Sequence, residues 1–305
     1  MAKKPKSKLQ SRFEIGLAKS ALWVIQRLPH RRAQKLGAWI GKTAHDLLGI
    51  RKEHAIGELL RCFPDKDRTW AAGVVRNVYK HFGTLAAEMS RNPVLAGHFD
   101  QWVEFDESTL EQLRAAFNRG KGTFICAGHH GNWELAGAMA VQHGFPTTFV
   151  VGEQTNKDIE ELLDDVRRSA GLHIVKRKQA SRGIPKALKA NHLVAMMIDQ
   201  DARSRGIFIP FFGRPASTFK GVGLFAVKYD PSVLFMRTWR DERGVIQVRC
   251  DTVEVPHTGD QEADILTLMT DLTNRLEAHI RNYPDQYLWL HKRWKTKLPE
   301  ETGAV

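Results

Sequence analysis

Cysteine is scarce in this chain. Cys62, Cys126 and Cys250 are the only three among 305 residues, with no CxxC pair and no even-numbered framework. That excludes a disulfide scaffold and a thiolate zinc ribbon, and it predicts reduced thiols in a cytosolic setting. Long apolar runs are also missing. A spanning helix needs about 20 mostly apolar residues, and the best candidate, Phe13 to Leu28, is broken by Glu14, Lys19, Gln26 and Arg27. The same stretch has neither the uninterrupted apolar core nor the cleavage site of a leader peptide. Acidic residues are the third shortage: 34 Asp and Glu face 46 Lys and Arg, a formal charge of +12. An excess of that kind concerns partners rather than fold. It admits nucleic acid, an anionic membrane face or a phosphorylated substrate. No helix-turn-helix, zinc-finger or RNP pattern accompanies it, so nucleic acid is not expected. No internal repeat occurs, and the only low-complexity piece is the lysine-rich start.

What is present suits one large α/β domain or two smaller ones. Residues 1–12 read as a basic flexible tail containing Lys3, Lys4, Lys6, Lys8 and Arg12. Residues 13–95 read as a helical region. In its first helix Ala18, Ala21, Leu22, Ile25 and Leu28 share one face, with Trp23 near the edge. A basic tail before an amphipathic helix suits an anionic bilayer surface; a helix packed on its own domain is the alternative. Leu36, Trp39, Ile40, Leu47 and Leu48 form a stripe in the second helix. Trp70, Val74, Val78, Phe82, Leu85 and Met89 form one in a longer helix. Gly37 and Gly41 would permit close helix packing.

From residue 96 to 305 the pattern becomes α/β. Ser108 and Glu111 have capping-box spacing for a helix that ends near Gly120. Strands are expected at Thr123 to Ala127, Thr147 to Val151, Leu193 to Ile198, Ser232 to Trp239 and Val245 to Val253. Helices are expected from Trp133, over Asp158 to Ala170, Val222 to Lys228 and Glu262 to Ile280. Short apolar strands alternating with helices predict a largely parallel mixed sheet flanked by helices, with the N-terminal helices as an added layer.

The densest chemistry lies in Gly128-His129-His130-Gly131-Asn132-Trp133-Glu134, between a buried strand and a helix start. Open α/β sheets place their sites at such carboxyl ends. On a continuous helix His129 and Glu134 would stand about 140° apart. With Asn132 as N-cap, His129 sits in the turn and is free to fold back towards Glu134. A carboxylate on one imidazole nitrogen fixes the tautomer and makes the other a better base. Such a base takes a proton from an acceptor hydroxyl, which attacks a thioester, so no Ser or Cys nucleophile is needed. Gly128 and Gly131 let the backbone bend, and turn amides there are candidates for holding the oxyanion. A metal reading sets His130 and Glu134 four apart with Asp199 or Asp201 as a distant ligand, although the two-histidine helical zinc motif is absent.

The segment Ala127 to Leu135 resembles the core motif of bacterial lipid A biosynthesis acyltransferases, the late lauroyl and myristoyl transferases of the lysophospholipid acyltransferase superfamily. Asp199-Gln200-Asp201, Gly206 to Gly213 and Pro215 to Thr218 resemble the family's second block. Trp289 to Lys295 resembles its C-terminal signature, and Gly83 to Glu88 its N-terminal helix. The resemblance spans about residues 15 to 297. It implies an O-acyltransferase with His129 as general base, Glu134 as its orienting partner, Arg167 as a substrate-binding or catalytic arginine, and Asp199 and Asp201 beside the site. It also implies an acyl carrier protein or acyl-CoA donor, a membrane-lipid acceptor, the cytoplasmic face of the inner membrane, and no metal or other cofactor. Val151-Gly152-Glu153 stands where many lipid A enzymes carry Tyr-Arg-Pro, which opens the acceptor to other glycolipids and lysophospholipids. Arg203, Arg205, Arg214 and Lys220 are candidates to meet acceptor phosphates or an acidic carrier protein. Phe208, Phe211, Phe212 and Phe219 are candidates for an acyl tunnel or for core. Trp289 and Trp294 among basic residues suit a headgroup interface. The rival functions are a metal-dependent hydrolase built on His129, His130 and Glu134, and a membrane-binding protein without turnover.

Overall fold

The computed structural model describes residues 8–298, and side chains from residue 14. Of the expected basic tail, residues 1–7 lie outside the described residues, while 8–12 open the first helix. Five helices come first: α1 Lys8–Arg27, α2 His30–Leu47, α3 Lys52–Cys62, α4 Arg68–Met89 and the short α5 Asn92–Leu95. Then follow β1 Val103–Phe105, α6 Glu107–Asn118, β2 Thr123–Ala127, α7 Trp133–Gln142, β3 Thr147–Val151, α8 Lys157–Arg168, β4 His173–Lys176, α9 Ala180–Lys189 and β5 Leu193–Met197. The chain ends with β6 Ile207–Phe211, β7 Arg214–Thr218, α10 Gly221–Tyr229, β8 Ser232–Arg240, β9 Ile246–Thr252 and α11 Gln261–Asn282. No described helix is long and apolar enough to cross a membrane.

Seven strands form one sheet in the order β1-β9-β8-β2-β5-β3-β4, and β6 and β7 form a separate antiparallel hairpin. All pairings in the large sheet are parallel except β8 with β9. The central strand β2 is buried on both faces. Phe124 and Cys126 join the core under α9, α10 and α11, while Ile125 and Ala127 join the core under α6 and α7. That two-sided burial is why β2 is apolar without alternation. Residues of α3 and α4, Ala55 to Tyr79, share the first of these cores with the sheet. The helix after β1 is capped by Asp106, whose carboxylate accepts from Thr109 N at 2.8 Å. Ser108 therefore lies inside the helix, because the acid two residues earlier reaches the free amides first.

Most of the stripe expected on α2 points the other way, although Leu36 packs inward beside Ala33. Trp39, Ile40, Leu47 and Leu48 are exposed, and the buried residues include Ala33, Gly37 and Gly41. A Cβ on Gly41 would lie 2.0 Å from Tyr79 O, and one on Gly37 would lie 2.4 Å from Gly83 O. The two backbones touch along this seam, and the face without side chains takes the interior because it alone permits that approach. The stripe of α4 faces inward as expected, with Val74, Val78, Leu85 and Met89 buried. On α1, Ile25 is buried and Leu28 packs with it, while Leu17, Trp23 and Val24 are exposed.

Candidate active site

Strand β2 delivers the Gly128–Asn132 turn to the carboxyl end of the sheet, and Asn132 caps α7 by accepting from Leu135 N at 3.1 Å. Gly131 has φ +58, and a Cβ there would meet Thr238 O at 2.1 Å. Only glycine fits this bend on both counts. Gly128 is packed against Leu276, whose side chain an added Cβ would meet at 2.5 Å.

The acid on His129 is Asp199, just beyond β5. His129 Nδ1 donates to Asp199 Oδ1 at 2.7 Å, and His129 N donates to Asp199 Oδ2 at 2.8 Å. The carboxylate thus fixes both ring and backbone, and it sets the tautomer with the proton on Nδ1. Burial works against a charged imidazole here. The Asp199 charge and hydrogen bond, with a smaller contribution from the Glu134 charge, overcome it and hold the His129 pKa above its ordinary value. Burial likewise disfavours ionised Asp199, but His129 and the buried Arg293 outweigh it and lower its pKa. His129 Nε2 makes no hydrogen bond among the described residues. The ring lies edge-on to Trp133, with centroids 4.8 Å apart, on the wall of a cavity of about 480 Å³.

Glu134, expected to orient His129, is instead engaged by Arg167 of α8. Arg167 Nη2 donates to Oε1 at 2.6 Å and Arg167 Nε to Oε2 at 3.1 Å, a two-pronged contact. Glu134 is 3% and Arg167 15% exposed on their side chains, and both line the same cavity as His129. Glu134 lies in the first turn of α7 and lines the cavity, whereas Asp199 follows the strand adjacent to β2 and meets the imidazole directly.

The other expected residues divide. Asp201 turns from the cavity: its N–H donates to His291 Nε2 at 3.0 Å, and its carboxylate accepts from Thr296 at 3.1 Å. It fastens the C-terminal segment. Arg203 and Arg205 are exposed on a 3-10 turn, and Lys220 is exposed at the start of α10, next to the cavity residues Phe219 and Gly221. Arg214 pairs with Glu58 at 2.6 Å and covers Trp294. Of the four phenylalanines, Phe219 lines the cavity, and Phe211 and Phe212 are buried in an aromatic cluster with Phe63, Trp289 and Trp294. Those two tryptophans are 2% and 6% exposed and form no surface belt. The turn amides are already used. His130 N donates to Gly128 O, Gly131 N to Gln286 O, and His129 N to Asp199, so these three hold the turn rather than an oxyanion.

Both ring nitrogens of His130 face backbone carbonyls, Thr238 O at 2.9 Å and Tyr283 O at 2.8 Å. That occupies the atoms a metal would need, and among the described residues no three His, Cys, Asp or Glu side chains are grouped to hold an ion. The cysteines are free and buried. Burial pushes the Cys62 and Cys250 thiols up to about 12 and Cys126 further, so none is a thiolate nucleophile. Arg177 and Gln200 also line the cavity. Neither was singled out from sequence, although Gln200 lies between the two motif aspartates.

The Escherichia coli K12 lipid A biosynthesis palmitoleoyltransferase is 24% identical over 297 residues, 95% of this chain and 92% of that protein. The lauroyltransferase of the same organism is 25% identical over 90% of this chain and 89% of its own length. A phosphatidylinositol mannoside acyltransferase of Mycobacterium tuberculosis H37Rv is 26% identical over 200 residues, 64% of this chain, and the match spans 61% of that relative's length. The family described as bacterial lipid A biosynthesis acyltransferase matches residues 1–296, and the chain belongs to it.

Proposed function

We propose that this protein transfers a fatty acyl group from a thioester to a hydroxyl of a membrane lipid, a lipid A precursor or a related glycolipid or lysophospholipid. The observation that carries the reading is His129 Nε2, unpartnered on a cavity wall while Asp199 holds the opposite nitrogen at 2.7 Å. Nε2 removes the proton from the acceptor hydroxyl as its oxygen bonds to the thioester carbonyl carbon. Collapse of the tetrahedral intermediate breaks the C–S bond, and the proton passes from His129 to the departing sulfur, leaving an ester and a thiol. The positive charge on His129 during this cycle is stabilised by Asp199. Arg167, fixed by Glu134, presents a permanent cation to the anionic parts of the substrates.

The donor is an acyl carrier protein or coenzyme A thioester. Lys220 is exposed beside the cavity residues Phe219 and Gly221, Arg203 and Arg205 are exposed on the preceding loop, and the three suit an acidic carrier or a phosphorylated one. The acceptor lies in a bilayer. Leu17, Trp23, Trp39, Ile40, Leu47, Leu48 and Ile50 form the exposed apolar outside of the first fifty residues, which suits peripheral docking on the cytoplasmic face of an inner membrane.

The test is transfer from labelled acyl carrier protein or coenzyme A thioester to a panel of lipid A precursors, glycolipids and lysophospholipids, by full-length protein in mild detergent. Label entering a lipid, surviving a chelator and lost in His129→Ala, is expected. Transfer that persists in His129→Ala, or no transfer to any acceptor, rejects the reading.

A further inference from the structure

One buried acid takes no part in the chemistry above. Glu88, near the end of α4, is 1% exposed. Its Oε1 accepts from Gln34 Nε2 of α2 at 2.7 Å and from Arg240 Nη1 of β8 at 2.6 Å. Its Oε2 accepts from Arg240 Nη2 at 2.5 Å and from Asn132 Nδ2 at 2.7 Å. Burial works against ionisation, yet the Arg240 charge and the donated hydrogen bonds hold the carboxyl well below its usual range. Glu88 is therefore a carboxylate that receives four donors from three other elements.

One of those donors belongs to the site. Asn132 caps α7 with its Oδ1 and gives its Nδ2 to Glu88, so a single amide is fixed at both ends. Seven residues earlier on the same face of α4, His81 Nε2 donates to Gly131 O at 2.9 Å. Burial first, then Arg240, brings the His81 pKa down to about 3, which keeps it a neutral donor. Helix α4 thus grips Gly131 and Asn132, the two residues midway between His129 and Glu134. A buried ion pair contributes little net stability compared with an apolar contact of the same shape. Its use here is directional, because Glu88 Oε2 accepts from Asn132 Nδ2 while Arg240 holds the carboxylate in place.

We propose that Glu88 is a positioning residue for acyl transfer: by holding Asn132 it sets His129 and Glu134 relative to one another across the cavity. The inference rests on the reading of His129 as the base.

Two substitutions at the other end of the contact test it in the full-length protein, with labelled acyl carrier protein thioester and the acceptor lipid that wild type uses. Asn132→Ser keeps a capping oxygen but has no amide to reach Glu88. Its kcat should fall by about tenfold to 100-fold, with KM for the thioester unchanged and the melting temperature close to wild type. Asn132→Asp sets a second carboxylate against Glu88, and such a pair takes up one shared proton as pH falls. Its kcat relative to wild type should therefore climb between about pH 8 and about pH 6, as the proton restores the donor. A residue that only packs or only caps would show no such recovery. Wild-type kcat in Asn132→Ser, or an Asn132→Asp deficit indifferent to pH, would overturn the proposal. His129→Ala separates the two claims: if it abolishes transfer while Asn132→Ser does not reduce it, only the positioning role fails. If His129→Ala remains active, the catalytic reading fails as well.

Discussion

The two ends of the cavity each pair an acid with a base, and they do different work. At one end the Asp199 carboxylate accepts from His129 Nδ1, and its charge and hydrogen bond overcome burial to hold the imidazole pKa above its ordinary value. At the other, Arg167 grips Glu134 with two prongs. There burial lowers the guanidinium pKa but is overcome by the Glu134 charge and hydrogen bonds, so no proton leaves. In the proposed reaction the first end carries a proton, and the second is a fixed charge. The difference follows from what each acid faces: a group that can release its proton near neutrality, or one that cannot.

The largest expected effect breaks the first end. His129→Ala removes the base, and kcat/KM should drop by about 10²- to 10⁴-fold in the thioester transfer assay. Asp199→Asn keeps the shape but not the charge, and a loss on the order of 100-fold is expected. It should also move the pH profile. The base works neutral, so wild-type activity rises with pH through a limb above the ordinary histidine value of about 6.5. Without Asp199, burial dominates and lowers the His129 pKa, so the limb must shift to lower pH; an unmoved limb would assign that titration to another group. Arg167→Lys keeps the charge at the second end and loses the fork, with about a tenfold loss expected and the pH limb unchanged. The smallest effect lies away from both ends. Trp39→Ser should weaken binding to anionic vesicles by about tenfold, measured by flotation, and leave turnover of detergent-dispersed substrates alone.

Much of this was legible from sequence for local reasons. Strands β2 and β3 fall on the residues their apolar runs mark, and Asn132 caps α7 as the turn chemistry requires. The β6–β7 hairpin and β4 were not anticipated; β6 carries Pro210 and β7 Pro215, and β4 is a four-residue strand without a fully buried position. The site was half legible. Glu134 is five residues from His129 and Asp199 is seventy, so proximity in sequence favoured the wrong partner. The pairing of β2 with β5, Ala127 opposite Met197, is what brings Asp199 to the imidazole. Trp39 and Trp289 make the same point from the surface. Both lie in amphipathic-looking stretches, yet the first is 62% exposed and the second 2%.

The sequence by itself determined the class of sheet, the bend at Gly131, the capped helix after it and the presence of a histidine at the carboxyl end of a buried strand. These depend on backbone conformation and on periodicities within a few residues. The tertiary structure decided which carboxylate meets which base, which face of α2 is outside and which tryptophans are core. Those outcomes turn on how closely two distant backbones approach, as Gly37 and Gly41 against α4 and β5 beside β2 demonstrate, and no local pattern encodes that distance.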